Sequence, residues 1–282
     1  MKPKIYFSII ALIFSSTMLI AQKAEKIKGS KVVTTSTKEI KSFNAIEIED
    51  NLEINLEKGD KNEIKIEADD NLHDIINLNV QDEILIISTS KEAQSFKKLA
   101  IKITYTNDLN LVTTKDESVV NAIQEIILDN ITFKTFDRSK LFLNVNSKNF
   151  ILQSNDKSKT ELNLKGENTF IELSKNTSLK ALINSTNFKC DLYQKATAAL
   201  EGDANNTTLR LDNSAELTAR NFNSKNTDVS VEGSASCSLF AENTIVIDAT
   251  DKTEIELYGS PKIEIRKLDG EAKLFKKPTT KK

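Results

Sequence analysis

From about residue 118 to residue 266 the apolar positions recur at a nearly fixed period. Leu141, Thr160, Leu179, Ala198, Leu217, Cys237 and Ile255 fall 19, 19, 19, 19, 20 and 18 residues apart. Two residues later in each unit come Leu143, Leu162, Ala181, Leu200, Ala219, Leu239 and Leu257. A further column, Phe133, Leu152, Ile171, Cys190, Leu209, Val229, Ile247 and Ile265, keeps the same spacing. Of these 22 positions 21 are apolar, whereas 39% of the whole chain is. Between the first two columns stand Phe142, Glu161, Lys180, Ala199, Thr218, Ser238 and Glu256. That alternation of inward and outward residues marks a half-buried strand, and units this short leave no room for a helix with a 3.6-residue period. A two-residue period nested in a nineteen-residue one predicts a coil of parallel strands, each turn hydrogen-bonded to the next about 4.8 Å along the axis. The expectation is an all-β, right-handed parallel β-helix of about 19 residues per turn. Seven turns over residues 116–270 would span about 34 Å.

A polar column shares the register. Asn130, Asn149, Asn168, Asn187, Asn206 and Asn226 each lie three residues before a member of the column that begins at Phe133, which marks a second strand in each unit, and Asn243 comes one residue early in the next turn. Asn tolerates the left-handed backbone of sharp corners, and stacked amides can bond along a ladder, so the column reads as structural. Before the coil, Ile46/Ile48, Ile54/Leu56, Ile64/Ile66, Leu78/Val80, Ile84/Ile86 and Ile101/Ile103 mark six short strands at irregular spacing. The end of a parallel coil needs a cover over its open edges and core. Residues 42–115 are therefore expected to form a β-rich cap on the coil, with a short helical turn at Asp70–Ile76 capped by Asp70.

The termini set the address. Residues 1–21 combine Lys2 and Lys4, an apolar stretch from Ile5 to Ile20 and a small Ala21 before Gln22. This is the pattern of a secretory signal peptide cleaved between Ala21 and Gln22. No Cys follows for a lipid anchor, and no later segment is apolar enough to span a bilayer. Residues 22–41 read as a flexible lead-in, and 271–282 as a Lys-rich solvated tail. Loss of Lys2 and Lys4 moves the formal charge from −2 to −4, with 37 basic residues against 41 acidic. That balance gives no reason to expect nucleic acid as a partner.

Candidate chemistry is sparse. One His (His73), two Cys and no Trp make a poor inventory for His-based catalysis or zinc, and no cofactor is expected. Asp137 and Asp156 stack one period apart, followed by Lys175, Gln194, Asn213, Gly233 and Asp251 in the same place. Two such carboxylates could raise one another's pKa or share a cation, although solvated corner residues are the simpler reading. Cys190 and Cys237 fall in inward columns two to three turns apart, about 12 Å axially and beyond disulfide reach, so two buried thiols are expected. Few aromatics should project outward, with Phe142, Tyr193 and Tyr258 the candidates.

The segments SFNAIEIEDNLEINLEKGDKNEIKIEADDNL (42–72), VQDEILIIS (80–88), AIKITYTNDLNLV (100–112) and GSPKIEIRKLDG (259–270) resemble the auto-transporter adhesin head GIN domain family of bacteroidete-type envelopes. The resemblance covers about residues 42–270. It implies a pectin-lyase-type β-helix without catalytic residues, and a role in adhesion. The Gly-Ser-Gly-like turns common in that family are mostly replaced, with GSP at 259–261 and EGS at 232–234 the nearest remnants, so the resemblance carries a fold and no site. The expected function is that of a non-enzymatic exported protein of a Gram-negative envelope, periplasmic or at the outer membrane and cell surface. Its repetitive faces would bind a glycan or another envelope or surface protein. The alternative is a carbohydrate-active β-helix enzyme, a polysaccharide lyase or hydrolase.

Overall fold

The computed structural model describes residues 25–278. The expected signal peptide, the Ala21–Gln22 cleavage point and the last lysines of the tail lie outside the described residues. The chain is about 70% strand and forms a parallel β-solenoid of about nine turns, each of about 19 residues. From Lys140–Ser154 through Glu216–Val231 each turn is drawn as one strand of 15 or 16 residues. Within it buried and exposed positions alternate up to a corner where two successive residues face solvent, such as Lys148 and Asn149, and then alternate again. Equivalent residues align in register: Val145 pairs with Leu164 and Leu164 with Ile183, and likewise Leu152, Ile171 and Cys190. The repeating columns thus stack into one continuous core, in which Leu141, Leu152, Leu164, Ile171, Ile183 and Cys190 are at most 1% exposed.

The steps of 18 and 20 residues arise where the ladder slips. Ala199 pairs with Thr218 but Glu201 with Asn221, and the next turn shifts again between Ala219 and Asn223 and between Ser224 and Asn226. Such bulges add residues to one strand without turning its neighbours inside out.

Three of the expectations change at the ends of the rod. Seven turns become about nine because strands within 42–115 join the parallel ladder. Ala45–Ile48 pairs in parallel with both Leu111–Thr114 and Ile84–Thr89, and Glu53–Lys58 pairs with both Val119–Thr135 and Leu99–Tyr105. The stacking order is therefore 84–105, then 45–58, then 111–121, which is not the order of the chain. The cover itself is antiparallel: Glu63–Asp69 lies between Leu99–Tyr105 and Val33–Glu39, and Ile76–Gln81 folds against Ile84–Thr89. The lead-in, secondly, is held rather than flexible, since Val33–Glu39 makes a seven-residue antiparallel pairing and Lys26–Lys28 pairs with Glu92–Gln94. Its run Val-Thr-Thr-Ser-Thr, β-branched at all but Ser36, suits a strand. Thirdly, the start of the Lys-rich tail belongs to the ladder, with Lys273–Lys276 stacked on Glu254–Gly259.

The helical turn is a 3₁₀ turn, Asp70–Ile75, preceded by Asp69 with no side-chain cap bond. Asp69 is occupied elsewhere. Its fully buried carboxylate accepts the backbone N–H groups of Lys31 at 2.8 Å, Lys98 at 3.0 Å and Lys97 at 3.1 Å, pinning the lead-in to the cover. Burial works against the charged form, but these three donors outweigh it and hold the Asp69 carboxyl below the usual carboxylate range. A folded-state value below the unfolded one means that the pin is fully present above about pH 4 and is lost as pH falls through the lower, folded value. Proteolysis of the Val33–Glu39 strand should accordingly speed up below pH 4, and Asp69→Asn should show the faster cleavage already at pH 7. Equal cleavage of variant and parent at neutral pH would exclude the pin.

His73 sits in the 3₁₀ turn, with its ring nitrogens 3.0 Å from the hydroxyls of Thr34 and Ser36. Both cysteines are free and buried. Burial, with some help from Asp191, pushes the Cys190 thiol far up, and burial pushes Cys237 up to about 12, so both remain inert thiols.

Candidate binding surface

Two corners and two flat faces make up the exposed surface of the coil. At one corner the Asn side chains form a continuous amide ladder. Asn149 donates to Asn130 at 2.7 Å, Asn168 to Asn149 at 3.0 Å, Asn187 to Asn168 at 2.9 Å, Asn206 to Asn187 at 3.0 Å and Asn226 to Asn206 at 3.3 Å. The next rung is Thr244, not Asn243: its hydroxyl donates to the Asn226 oxygen at 3.0 Å, because the slipped register opposes Thr244 to Asn226. None of the Asn residues of the ladder has a positive φ, so left-handed tolerance does not explain them. Their use is the amide, which donates to one turn while accepting from the next. Inside the same corner Ser147 and Ser185 bond the carbonyls of Asn149 and Asn187. An interior rung makes two exposed amide bonds, and at a net value of about 1 kcal/mol for the pair, Asn168→Ala should lower the melting temperature by about 2–4 °C. Asn130→Ala removes one bond and should cost about half as much; equal losses would argue against a ladder.

The left-handed positions are at the other corner. Asp116, Asp137, Asp156, Lys175, Gln194, Asn213, Gly233, Asp251 and Gly270 all have φ between 56° and 75°. Eight of these nine tight turns fold over a small buried side chain, in the column Ser118, Ser139, Ser158, Thr177, Ala196, Ala215, Ala235 and Thr253. That column is visible in the sequence as small residues at the coil period and was not among the expected features. The aspartates do not converge on one another. Each reaches back to the preceding turn: Asp116 accepts the N–H of Asp50 at 2.9 Å, Asp137 that of Asp116 at 3.1 Å and Asp156 that of Asp137 at 3.4 Å. Lys175 donates to Asp156 at 2.6 Å and, against some desolvation, holds its carboxyl below the usual range. Among the described residues no three His, Cys, Asp or Glu side chains are grouped to hold a metal ion.

Each face carries a shallow groove. On the first, Phe142 and Leu182 are exposed beside Lys180 and Glu201 along a groove of about 540 Å³. On the second, a groove of about 390 Å³ runs between the Asn ladder and the column of Ile151, Phe170, Lys189 and Thr208. The Lys189 ammonium lies 4.9 Å from the centre of the Phe170 ring, and its partner Asp191 is 3.1 Å away. Asp191 occupies an outward position, between Glu172 and Arg210 in register, yet is only 5% exposed, and its Oδ1 has no hydrogen-bond partner. The Arg210 guanidinium stacks 5.6 Å from the Tyr193 ring centre. Burial, and next the Asp191 carboxylate, raises the Tyr193 hydroxyl. Of the expected outward aromatics Phe142 is exposed, whereas Tyr193 and Tyr258 are half-buried. Phe170 and Asp191 escaped the sequence reading because one stands in a mixed outward column with Ile151, Lys189 and Thr208 and the other looks like any solvated acid.

No helix among the described residues is long and apolar enough to cross a membrane. A search of the solved structures finds the same fold at low identity. A crystal structure described as a putative adhesin from Parabacteroides merdae is 18% identical, with a TM-score of 0.62, covering 91% of this chain and all of its own. One described as a putative adhesin from Parabacteroides distasonis is 17% identical with a TM-score of 0.60, over 89% of this chain and 99% of its own. A third, described as a putative lipid binding protein from Parabacteroides distasonis, is 15% identical with a TM-score of 0.63, over 91% of this chain and all of its own. No curated protein matches the sequence. The family model "Putative auto-transporter adhesin, head GIN domain" matches residues 42–261, most of the length of the chain, and the chain belongs to that family.

Proposed function

We propose that the protein is a non-enzymatic binding module of a Gram-negative cell envelope, exported by its leader and presenting the faces of its coil to glycans or to other surface proteins. The observation that carries this reading is the Asn ladder, in which one side chain recurs on six successive turns at an exposed corner and so repeats the same shallow contact along the rod. A single exposed contact is weak, but a ligand that repeats on a similar scale meets several at once, and the gain comes from effective concentration. The family description and the two neighbours described as adhesins support the same reading. The enzymatic alternative needs convergent carboxylates on an outer face; at the corner where they stack, each is already committed to the N–H of the turn before it.

Protease shaving of intact cells tests the placement, with an epitope on the C-terminal tail and a periplasmic protein as the control for leakage. Loss of the epitope with the control intact is the expected result. Protection until the outer membrane is opened would exclude surface adhesion and move the partner into the periplasm.

A further inference from the structure

We propose that the second face holds a subsite for the pyranose rings of a neutral saccharide, formed by Phe170, Lys189, Asp191 and Arg210 with the neighbouring Asn ladder. The inference rests on the binding-module reading above and names its ligand class and its residues. Three observations carry it.

The first is the unmet acceptor. A carboxylate on a solvated sheet face normally extends into water, but Asp191 is 5% exposed and its Oδ1 lacks a partner, while its other oxygen is ion-paired with Lys189 at 3.1 Å. A buried acceptor left unpaired is unfavourable, and it is satisfied by a donor brought in from outside. Sugar hydroxyls are such donors, and a carboxylate forms its stronger, charge-assisted bonds with them. The covering side chains are long: Lys189 is 53% exposed and Arg210 is exposed, so both can move aside without disturbing the ladder.

The second is the floor beside it. Phe170 turns a half-buried aromatic ring outward, one turn from Lys189 and two residues along the strand from the Asp191 column. An aromatic body next to fixed polar groups is what the C–H face and hydroxyl edge of a pyranose require. The adjoining groove, which Phe170 and Lys189 line and beyond whose edge Asp191 and Arg210 lie, has a volume of about 390 Å³, within the small-ligand range of about 300–1,000 Å³. Along its far side Asn168, Asn187 and Asn206 each retain an amide hydrogen and a lone pair beyond those used in the ladder.

The third is charge. Lys189 and Arg210 balance Asp191 and Glu172 at this place, so nothing draws in a uronate or a sulfate ester, and a neutral sugar needs no counter-charge. The groove beside Phe142 lies on the other face of the coil, and neither Asp191 nor Phe170 lines it, which makes Phe142 the internal control.

The test uses the full chain on an array of neutral, uronate-bearing and sulfated oligosaccharides, with titration of the best neutral binder into parent and variants. The same proteins are assayed for adhesion of coated beads to cultured cells. Neutral oligosaccharides should bind the parent, and Phe170→Ala and Asp191→Asn should each weaken that binding by about tenfold or more. Phe142→Ala should leave it within about twofold. Melting curves establish that each variant is folded, and Arg210→Ala stands in should Asp191→Asn fail to fold. Undiminished binding by the folded variants, binding confined to acidic glycans, or no glycan binding by a parent that still adheres to cells would each overturn the subsite and leave the binding module standing. Absence of both glycan binding and adhesion would overturn both.

Discussion

Leu164→Asp removes the cooperative unfolding transition of the central coil. Leu164 is fully buried and stacks in register between Val145 of one turn and Ile183 of the next. Replacing it forfeits about 2–3 kcal/mol of apolar burial and places a carboxylate where the walls above and below are branched aliphatics. An unpaired charge there either stays ionised at a cost of several kcal/mol or takes up a proton at a similar one. Together these approach the 5–15 kcal/mol that separates folded from unfolded domains. A solenoid turn touches only its two neighbours along the axis, so disruption of a middle turn also severs the ladder between the two ends. Circular dichroism should show a broad, early loss of β signal, and limited proteolysis should cut within residues 140–192. Asn163→Asp, one residue earlier and exposed, should stay within about 0.5 kcal/mol of the parent. A Leu164→Asp protein that melts within a few degrees of the parent would contradict the inward assignment of this column.

Columns such as Leu164's were legible in the sequence because a coil repeats one environment each turn: the same inward face, the same corner and the same outward face return every nineteen residues. The legibility ends where chain order and stacking order part. Residues 45–58 lie between 84–105 and 111–121 in space, so no fixed spacing links them, although each strand alternates normally. Pairing with Ile84–Thr89 and Leu99–Tyr105 needs the intervening antiparallel strands to reverse the chain twice, and periodicity carries no trace of that path. The lead-in was misjudged for a related reason. Val33–Glu39 is an edge strand with mostly exposed side chains, so what holds it is backbone pairing and the buried Asp69, neither of which leaves a hydrophobic pattern.

At the surface the distinction is between residue type and residue state. The Asn column could be seen because identical side chains recur, but its reason lay in the amide bonds and not in backbone conformation. The left-handed column could not be separated from ordinary polar turns, since Asp, Lys, Gln, Asn and Gly all occupy it. Asp191 is the extreme case: nothing in the letters distinguishes it from Asp248, which pairs at the same outward level three turns on. Only the packing of Lys189, Tyr193 and Arg210 around it removes it from water.

Gly202 concentrates these points in one residue, and Gly202→Ala should destabilise the protein by about 2–4 kcal/mol. In the register Gly202 lies between Ile183 and Phe222, in a column otherwise filled by side chains such as Val145 and Leu164. Its φ is +108°, and an added Cβ would lie 2.1 Å from the carbonyl oxygen of Ile183. A left-handed conformation costs an L-residue about 1–2 kcal/mol, and overpacking against fixed backbone adds about 1–3 kcal/mol. The entropy lost from the unfolded chain returns at most about 1 kcal/mol. The missing side chain also has a use. Phe222 and Phe188 belong to turns separated by the Gly202 turn, about 9.6 Å along the axis, yet their ring centres are 5.2 Å apart. Phe222 can lean that far only across a turn that presents no side chain. For a protein of this size the expected loss lowers the melting temperature by about 5–15 °C. Gly166 supplies the comparison: it has no positive φ, and an added Cβ would lie 3.0 Å from the Thr169 hydroxyl and 3.3 Å from the Ser147 carbonyl oxygen, tight contacts that a shift of a few tenths of an ångström relieves. Gly166→Ala should therefore cost about 1 kcal/mol, well below the loss at Gly202. Equal melting temperatures for the two variants would mean that the backbone at 202 is not held in the left-handed region and that the two rings meet by another route.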